Sequence, residues 1–303
     1  MEFTMLKDRL LSACPGITLL EWEPMNRHTS FRIGGPVRLM ARVKSEEEFA
    51  VCLSVSYEMG IKPFVLGNGT NVLCADGELD RFVILTAGGL SRLELTGEEE
   101  ITCGAGVSMA KLATFAMDHG LTGLEFAHGI PGTLGGGMAM NAGAYGGELK
   151  DVAASSSYLT LSGEAGTLMG EEQQLTYRHS AYSAGDRFVT SAVLRLKKGD
   201  REEIRGKMEE LAAKRRASQP LELPSAGSTF KRPVGGFAAA LIDQCGLKGL
   251  TVGGAQVSEK HAGFVVNIGG ATCRDVVELT DRIRAIVLQE KGIELELEIR
   301  RLN

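Results

Sequence analysis

Apolar residues recur along this chain with two periods, and the switches between them mark out its elements. Ser45-Glu46-Glu47-Glu48 reads as a capping box, with Phe49, Cys52, Leu53 and Met59 following at helical spacing and Gly60 as a stop. Pro63-Phe64-Val65-Leu66 reads as a strand that delivers Gly67-Asn68-Gly69-Thr70-Asn71, after which Val72-Leu73-Cys74 is extended chain. Phe82–Leu85 and Ile101–Cys103 form further strands, and Ser108 caps a helix through Leu112, Ala116 and Met117 to Gly120. From Ser155 to Leu196 the pattern is strand-like, with Tyr158–Leu161 and Val189–Leu194 separated by polar turns. Lys197-Lys198-Gly199-Asp200 makes the best boundary, because a charged amphipathic helix carrying Ile204, Met208 and Leu211 follows it. Near the end, Val276, Leu279, Ile283 and Ile286 predict a helix stopped by Gly292. Beyond it Ile293, Leu295, Leu297 and Ile299 alternate with Glu294, Glu296, Glu298 and Arg300, the pattern of a strand with one charged face. There is no internal repeat or low-complexity stretch. The expectation is an α+β chain of two domains, 1–199 and 200–303.

Length supports that division, since single cores stop growing near ~250–300 residues and this chain has 303. A formal net charge of -5 argues against a nucleic-acid partner. The six cysteines stand far apart with no C-x-x-C pair, which suggests reduced, mostly buried thiols in a cytosol. The five histidines show no metal-ligand spacing, and no apolar stretch of ~18 residues or signal-like start suggests a membrane or export. The expectation is a soluble, cytoplasmic, metal-free protein.

Glycine changes the picture, at 39 of 303 residues, well above the usual ~7 per cent. It concentrates in Gly129-Ile130-Pro131-Gly132-Thr133-Leu134-Gly135-Gly136-Gly137 and on to Asn141-Ala142-Gly143-Ala144-Tyr145-Gly146, and again at Gly67 to Asn71. Such runs persist where a Cβ would block a turn or a ligand, and two of them suggest a ligand with two phosphates; ordinary tight turns are the alternative. The Rossmann fingerprint fails, because Val72 stands where its third glycine belongs, and no Walker A pattern fits. Three residues could carry chemistry. Ser228 lies in a loop stiffened by Pro220, Pro224 and Pro233, though it could be a turn serine bonding its own backbone. Arg178 offers a fork suited to carboxylate or phosphate, or is a solvated surface group. Glu298 shares a face with Glu294 and Glu296 that solvation alone would explain.

These stretches also occur in a particular order. His28-Thr29-Ser30-Phe31-Arg32-Ile33-Gly34-Gly35, Leu66 to Asn71, Gly129 to Gly147 and Tyr177-Arg178-x-Ser180 come first. Pro224-Ser225-Ala226-Gly227-Ser228-x-Phe230-Lys231-Arg232-Pro233, Gly246-Leu247-Lys248-Gly249, Val257-Ser258-x-Lys260-His261-Ala262-Gly263-Phe264 and Glu298-Ile299-Arg300 follow. The series, from about residue 25 to 301, resembles the UDP-N-acetylenolpyruvoylglucosamine reductase (MurB) family. With only residues 180–200 between the arginine motif and the next helix, the chain looks like the shorter subtype, without the inserted tyrosine-bearing loop.

The resemblance implies an FAD-binding domain of the vanillyl-alcohol-oxidase (PCMH) type followed by a smaller α+β substrate-binding domain. It implies tightly but non-covalently bound FAD, NADPH as co-substrate, and a nucleotide-sugar substrate of peptidoglycan precursor synthesis, with no oligomer required. The cofactor would lie on Gly67, Asn68, Gly69, Thr70, Asn71, Gly129, Ile130, Pro131, Gly132, Thr133, Gly136, Asn141, Gly143, Ala144 and Tyr145, with side-chain bonds from Asn71 and Asn141. Ser228 would protonate a carbon while Arg178 and Glu298 stabilise the enolic intermediate. Arg216, Lys231, Arg232 and Lys260 would bind substrate, with Arg215 a further cation for the phosphates. Two other readings compete: a flavin oxidase on the same scaffold, and a silent nucleotide-sugar binding protein.

Overall fold

A computed structural model describes residues 2–303. Seven helices are defined among them: α1 (Glu2–Ala13), α2 (Glu46–Glu58), α3 (Met109–Asp118), α4 (Leu134–Ala139), α5 (Arg201–Ser218), α6 (Ala238–Gln244) and α7 (Cys273–Lys291). The chain divides into two compact units. One takes in the chain up to Glu21, Arg38–Asn68 and Arg81–Lys214; the other takes Trp22–Val37, Gly69–Asp80 and Arg215–Asn303.

In the first unit the expected caps form. Ser45 Oγ accepts the Glu48 N–H at 3.2 Å, and Ser108 Oγ accepts that of Lys111 at 3.2 Å. The Glu48 carboxylate reaches back to the Lys44 N–H at 2.7 Å, one residue beyond the position a capping box requires. A four-stranded sheet runs in the order Thr18–Pro24, Pro36–Arg42, Leu79–Leu85, Phe64–Leu66, the last two parallel with Val65 opposite Ile84. A five-stranded antiparallel sheet runs Ala165–Met169, Ala153–Thr160, Arg187–Arg195, Glu100–Gly104, Leu93–Leu95. Phe49, Phe82, Ile84, Ile101, Leu112 and Leu194 are fully buried in one apolar cluster. Ile204 and Met208 of α5 join that cluster, so this helix packs with the first unit, whereas sequence placed it after the boundary at 199. A charged linker marked where a helix begins, not which core it buries into.

The second unit is built on α7. Thr272 Oγ accepts the Asp275 N–H at 3.1 Å, the Asp275 carboxylate accepts the Thr272 N–H at 2.9 Å, and Gly292 ends the helix at φ 67°. Its Val276, Leu279, Ile283 and Val287 pack with Ala255, Val257 and Val265 from a small antiparallel sheet of Thr251–Val252, Ala255–Val257 and Val265–Asn267. The same unit pairs Val72–Cys74 with Arg300–Leu302 in parallel. The expected strand over 293–300 is thus mostly not a ladder: only the isolated bridge Phe230 to Leu297 precedes the strand at Arg300. Its alternation is real, however, with Leu295 and Ile299 buried and Glu294 and Glu296 exposed.

Two further departures come from glycine and from the early chain. Gly135–Gly137 lie inside α4 and are not a turn. A Cβ on Gly135 would sit 2.9 Å from that of Ala105, and one on Gly137 would sit 3.0 Å from Leu149 Cδ1, so close helix packing accounts for both. Helix α1, which buries Leu6 and Leu10, was not anticipated. All six cysteines are free; Cys52, Cys74, Cys103 and Cys273 are buried, and Cys14 and Cys245 are half-buried. Among the described residues no helix is long and apolar enough to cross a membrane.

Candidate functional site

Within the first unit, Gly67-Asn68 meets the longer glycine stretch. Asn68 Nδ2 donates to the Pro131 carbonyl at 3.1 Å, and a Cβ on Gly67 would lie 2.4 Å from Thr133 Oγ1. Thr133 is the N-cap of α4, its Oγ1 3.5 Å from the Gly136 N–H. The first amides of α4 are already used, Leu134 N–H by the Val107 carbonyl and Gly135 N–H by that of Ala105, both within 2.9 Å. Gly136 keeps an open face, with nothing nearer to a built Cβ than Thr133 Oγ1 at 3.7 Å. Next to Gly129, the His128 Nδ1 atom is buried without a hydrogen-bond partner. Gly143–Ala144 and Gly147–Glu148 form a short hairpin whose loop, Tyr145-Gly146, has φ of 54° and 88°. Two positive values in a two-residue loop suit the twist of the flanking strands, and they leave the Tyr145 ring exposed.

Arg178 occupies a tight turn. Thr176 and His179 exchange backbone hydrogen bonds of 3.1 and 3.2 Å around Tyr177-Arg178, and Arg178 takes the left-handed value φ 54°. Its guanidinium lies 5.3 Å from the Tyr177 ring centre. Asn141, expected to bond a cofactor through its side chain, is fully buried and spends that side chain within the protein. Its Nδ2 donates to Glu148 Oε2 at 3.0 Å and to the Thr176 carbonyl at 3.1 Å, and its Oδ1 accepts the Lys150 N–H at 2.9 Å.

The second unit holds Ser228 and Glu298. Ser228 is exposed, between the buried Ala226 and Thr229. The local backbone bond that a turn serine would make is made instead by Ser225, whose Oγ accepts the Gly227 N–H at 3.4 Å. Thr229 anchors the loop: its N–H donates to the Gly263 carbonyl at 2.8 Å and its Oγ1 accepts the Val265 N–H at 2.9 Å. Its carbonyl accepts the Glu298 N–H at 2.9 Å, so the residue after Ser228 fixes the backbone of Glu298. The Glu298 carbonyl accepts Asn71 Nδ2 at 3.1 Å. Gly69, at φ 60°, leaves room for the His28 carbonyl, which a Cβ would approach to 2.0 Å.

The cations expected to bind substrate have partners of their own. Lys231 pairs with Glu296, Arg232 stacks 4.5 Å over the Phe237 ring, and Lys260 Nζ donates to the Arg216 carbonyl at 2.7 Å, with Glu222 3.9 Å away. His261, next to Lys260, has no sequence signal of its own, yet it closes the turn that supports Thr229. Its Nδ1 accepts the Gly263 N–H at 3.1 Å and its ring packs edge-on against Phe264 at 5.0 Å. Burial pulls its imidazole below the ordinary value. Asp76 also escaped sequence reading; its carboxylate accepts the Cys273 and Arg274 N–H groups at the start of α7, at 2.5 and 3.1 Å.

Known proteins resemble this chain in sequence and fold. Residues 37–168 match the family model of the FAD binding domain, and residues 219–302 match that of the UDP-N-acetylenolpyruvoylglucosamine reductase C-terminal domain. The UDP-N-acetylenolpyruvoylglucosamine reductase of Syntrophomonas wolfei is 45% identical over 92% of this chain and 93% of its own. The chain belongs to the UDP-N-acetylenolpyruvoylglucosamine reductase family. The enzyme of that name from Clostridioides difficile is 43% identical over 93% of this chain and 92% of its own. The crystal structure of the MurB reductase from Thermus caldophilus superposes with a TM-score of 0.80 at 34% identity, over 95% of this chain and 99% of that one. Membership places the chain among oxidoreductases of α+β fold, with an FAD-binding domain preceding the C-terminal domain of the family. Only turns, the strand Arg187–Arg195 and the pair Lys197–Lys198 lie between Ser180 and α5.

Proposed function

We propose that this chain is an NADPH-dependent flavoenzyme that reduces UDP-N-acetylglucosamine enolpyruvate to UDP-N-acetylmuramate in the cytosolic synthesis of peptidoglycan precursors. The observation that carries the reading is the meeting of the two glycine stretches, Asn68 on Pro131 and Gly67 against Thr133. Around them are bare backbone, the open face of Gly136 and the orphaned His128 Nδ1, which suit a dinucleotide cofactor. FAD would be held non-covalently by Gly67 to Asn71, Gly129 to Thr133, Gly136 and Gly143 to Tyr145. What FAD supplies when bound is hydride transfer, from NADPH and then to the terminal carbon of the enol ether.

The remaining work falls to side chains of this protein. Hydride addition leaves enolate charge on the carboxylate side of the substrate, where the Arg178 fork stabilises it. Glu298 acts on the same enolic intermediate, its backbone held at both the N–H and the carbonyl. Ser228 gives its proton to the adjacent carbon, a weak acid facing a strongly basic carbon, and its exposed oxygen regains one from solvent. Arg216, Lys231, Arg232 and Lys260 meet the nucleotide sugar, the last three each exchanging a weak surface contact for a phosphate or sugar oxygen. No second copy of the chain is needed for this chemistry.

The test is spectroscopic. Purified protein should be yellow, bleach when NADPH is added without air, and recover its colour with UDP-N-acetylglucosamine enolpyruvate. Ser228→Ala should bleach at a near-normal rate while recovery slows by about 10²- to 10⁴-fold, the usual worth of a positioned general acid. Colourless protein, or equal damage to both half-reactions, would refute the assignment.

A further inference from the structure

The turn that presents Arg178 is tied at both ends to the segment that leaves α4. At one end the Asn141 amide donates to the Thr176 carbonyl at 3.1 Å; at the other, Ser180 Oγ donates to the Ala139 carbonyl at 2.9 Å. Both tying side chains are buried, Asn141 at 0% and Ser180 at 1% exposure. Ser183 adds a third tie, a second bond to the Ala139 carbonyl at 3.3 Å, and its Oγ accepts the Ser180 N–H at 2.9 Å. Between these ties stand only Tyr177, Arg178 and His179, and Arg178 holds a left-handed backbone. A side chain beyond Cβ sterics favours other regions there, so the conformation is imposed by what grips its neighbours.

Asn141 suits the task of gripping. Its φ of 43° is tolerated by asparagine, and its second amide proton is fixed by Glu148 Oε2 and its oxygen by the Lys150 N–H. The amide therefore cannot rotate away from Thr176 without breaking two further bonds that it makes from a buried position. With both donors spent and the side chain sealed from solvent, nothing on it remains to donate to a cofactor.

We propose that Asn141, with Ser180, is a positioning residue that sets the Arg178 guanidinium for the second half-reaction, and not a ligand of the flavin. The inference rests on the role given to Arg178 above. A misplacement of ~1 Å can cost about 10²-fold in rate, so the effect should be confined to the step in which Arg178 acts.

Asn141→Gly is the informative variant, since glycine accepts the left-handed backbone and only the amide is lost. The holoenzyme should keep its flavin content and its FAD dissociation constant, bleach with NADPH within about twofold of the parent, and be reoxidised by substrate about 10²-fold more slowly. In an Arg178→Lys background the same change should add little, because the two act through one group. Loss of FAD from Asn141→Gly while Arg178→Lys retains it would overturn the proposal, as would slowing of both half-reactions alike. Normal reoxidation in Arg178→Lys would instead remove the role of Arg178 itself. Slow reoxidation there with a normal rate in Asn141→Gly would remove only the positioning role. If Asn141→Gly yields no soluble protein, Ser180→Ala decides: selective slowing of reoxidation supports the tie, and parental half-reactions refute it.

Discussion

At the scale of single residues, His261 gives the loop before it a dependence on pH. The native ring is neutral, its Nδ1 accepting the Gly263 N–H while burial opposes protonation. Above the unfolded value near ~6.5 neither state holds the proton, so this residue adds no slope to stability. As pH falls through that value the unfolded chain protonates first, and stability is lost until the lower folded value is passed. His261→Gln should therefore flatten the decline in urea midpoint between about pH 7.5 and about pH 5; a variant that declines as steeply as the parent would contradict it. Residue types at the candidate site were legible, because Arg178, Ser228 and Glu298 stand in recognisable order. The destinations of the two amides were not. Asn141 finds the Thr176 carbonyl 35 positions away and Asn71 finds that of Glu298 227 away, and no local pattern encodes a partner that distant.

At the scale of elements, α2, α3, α5 and α7 could be read from their spacing and caps, which are local. Helix α4 could not, since Leu-Gly-Gly-Gly-Met-Ala carries three residues that each disfavour a helix by about 1 kcal/mol relative to alanine. Packing overrides propensity at two of them, and this gives opposite predictions for neighbours. Gly135→Ala would press a methyl against Ala105, which has no rotamer to yield, so overpacking of about 1–3 kcal/mol should exceed the propensity gain. Gly136→Ala meets only Thr133 Oγ1, at an ordinary contact distance of 3.7 Å, and should stabilise the apoprotein by up to about 1 kcal/mol while weakening FAD binding. Urea unfolding of the apoproteins with FAD titration separates the two; destabilisation by Gly136→Ala would argue that its open face is not open. The terminal alternation from Ile293 correctly foretold that Leu295 and Ile299 are buried, yet hydrogen bonding there depends on what lies alongside: Thr229 and Lys231 first, then Asn71 and the strand Val72–Cys74.

At the scale of the whole molecule, thiol chemistry tests the two cores at once. Burial pushes the Cys74 and Cys103 thiols up to about 12 and raises Cys52, Cys273 and Cys245 as well, so what separates Cys245 from the other four is that theirs are also shut away from solvent. Under native conditions a maleimide should label Cys14 and Cys245 first, with the other four appearing only on unfolding, as peptide mass spectrometry would report. Equal labelling of all six would mean that the cores are open. The parallel pairing of Val72–Cys74 with Arg300–Leu302 has its own corollary in the cell. More than two hundred residues separate these partners, so on the ribosome, at ~5–20 residues per second, the earlier strand waits roughly 10–45 s with an exposed edge. Until residue 302 emerges, that edge stays open to a nascent-chain chaperone.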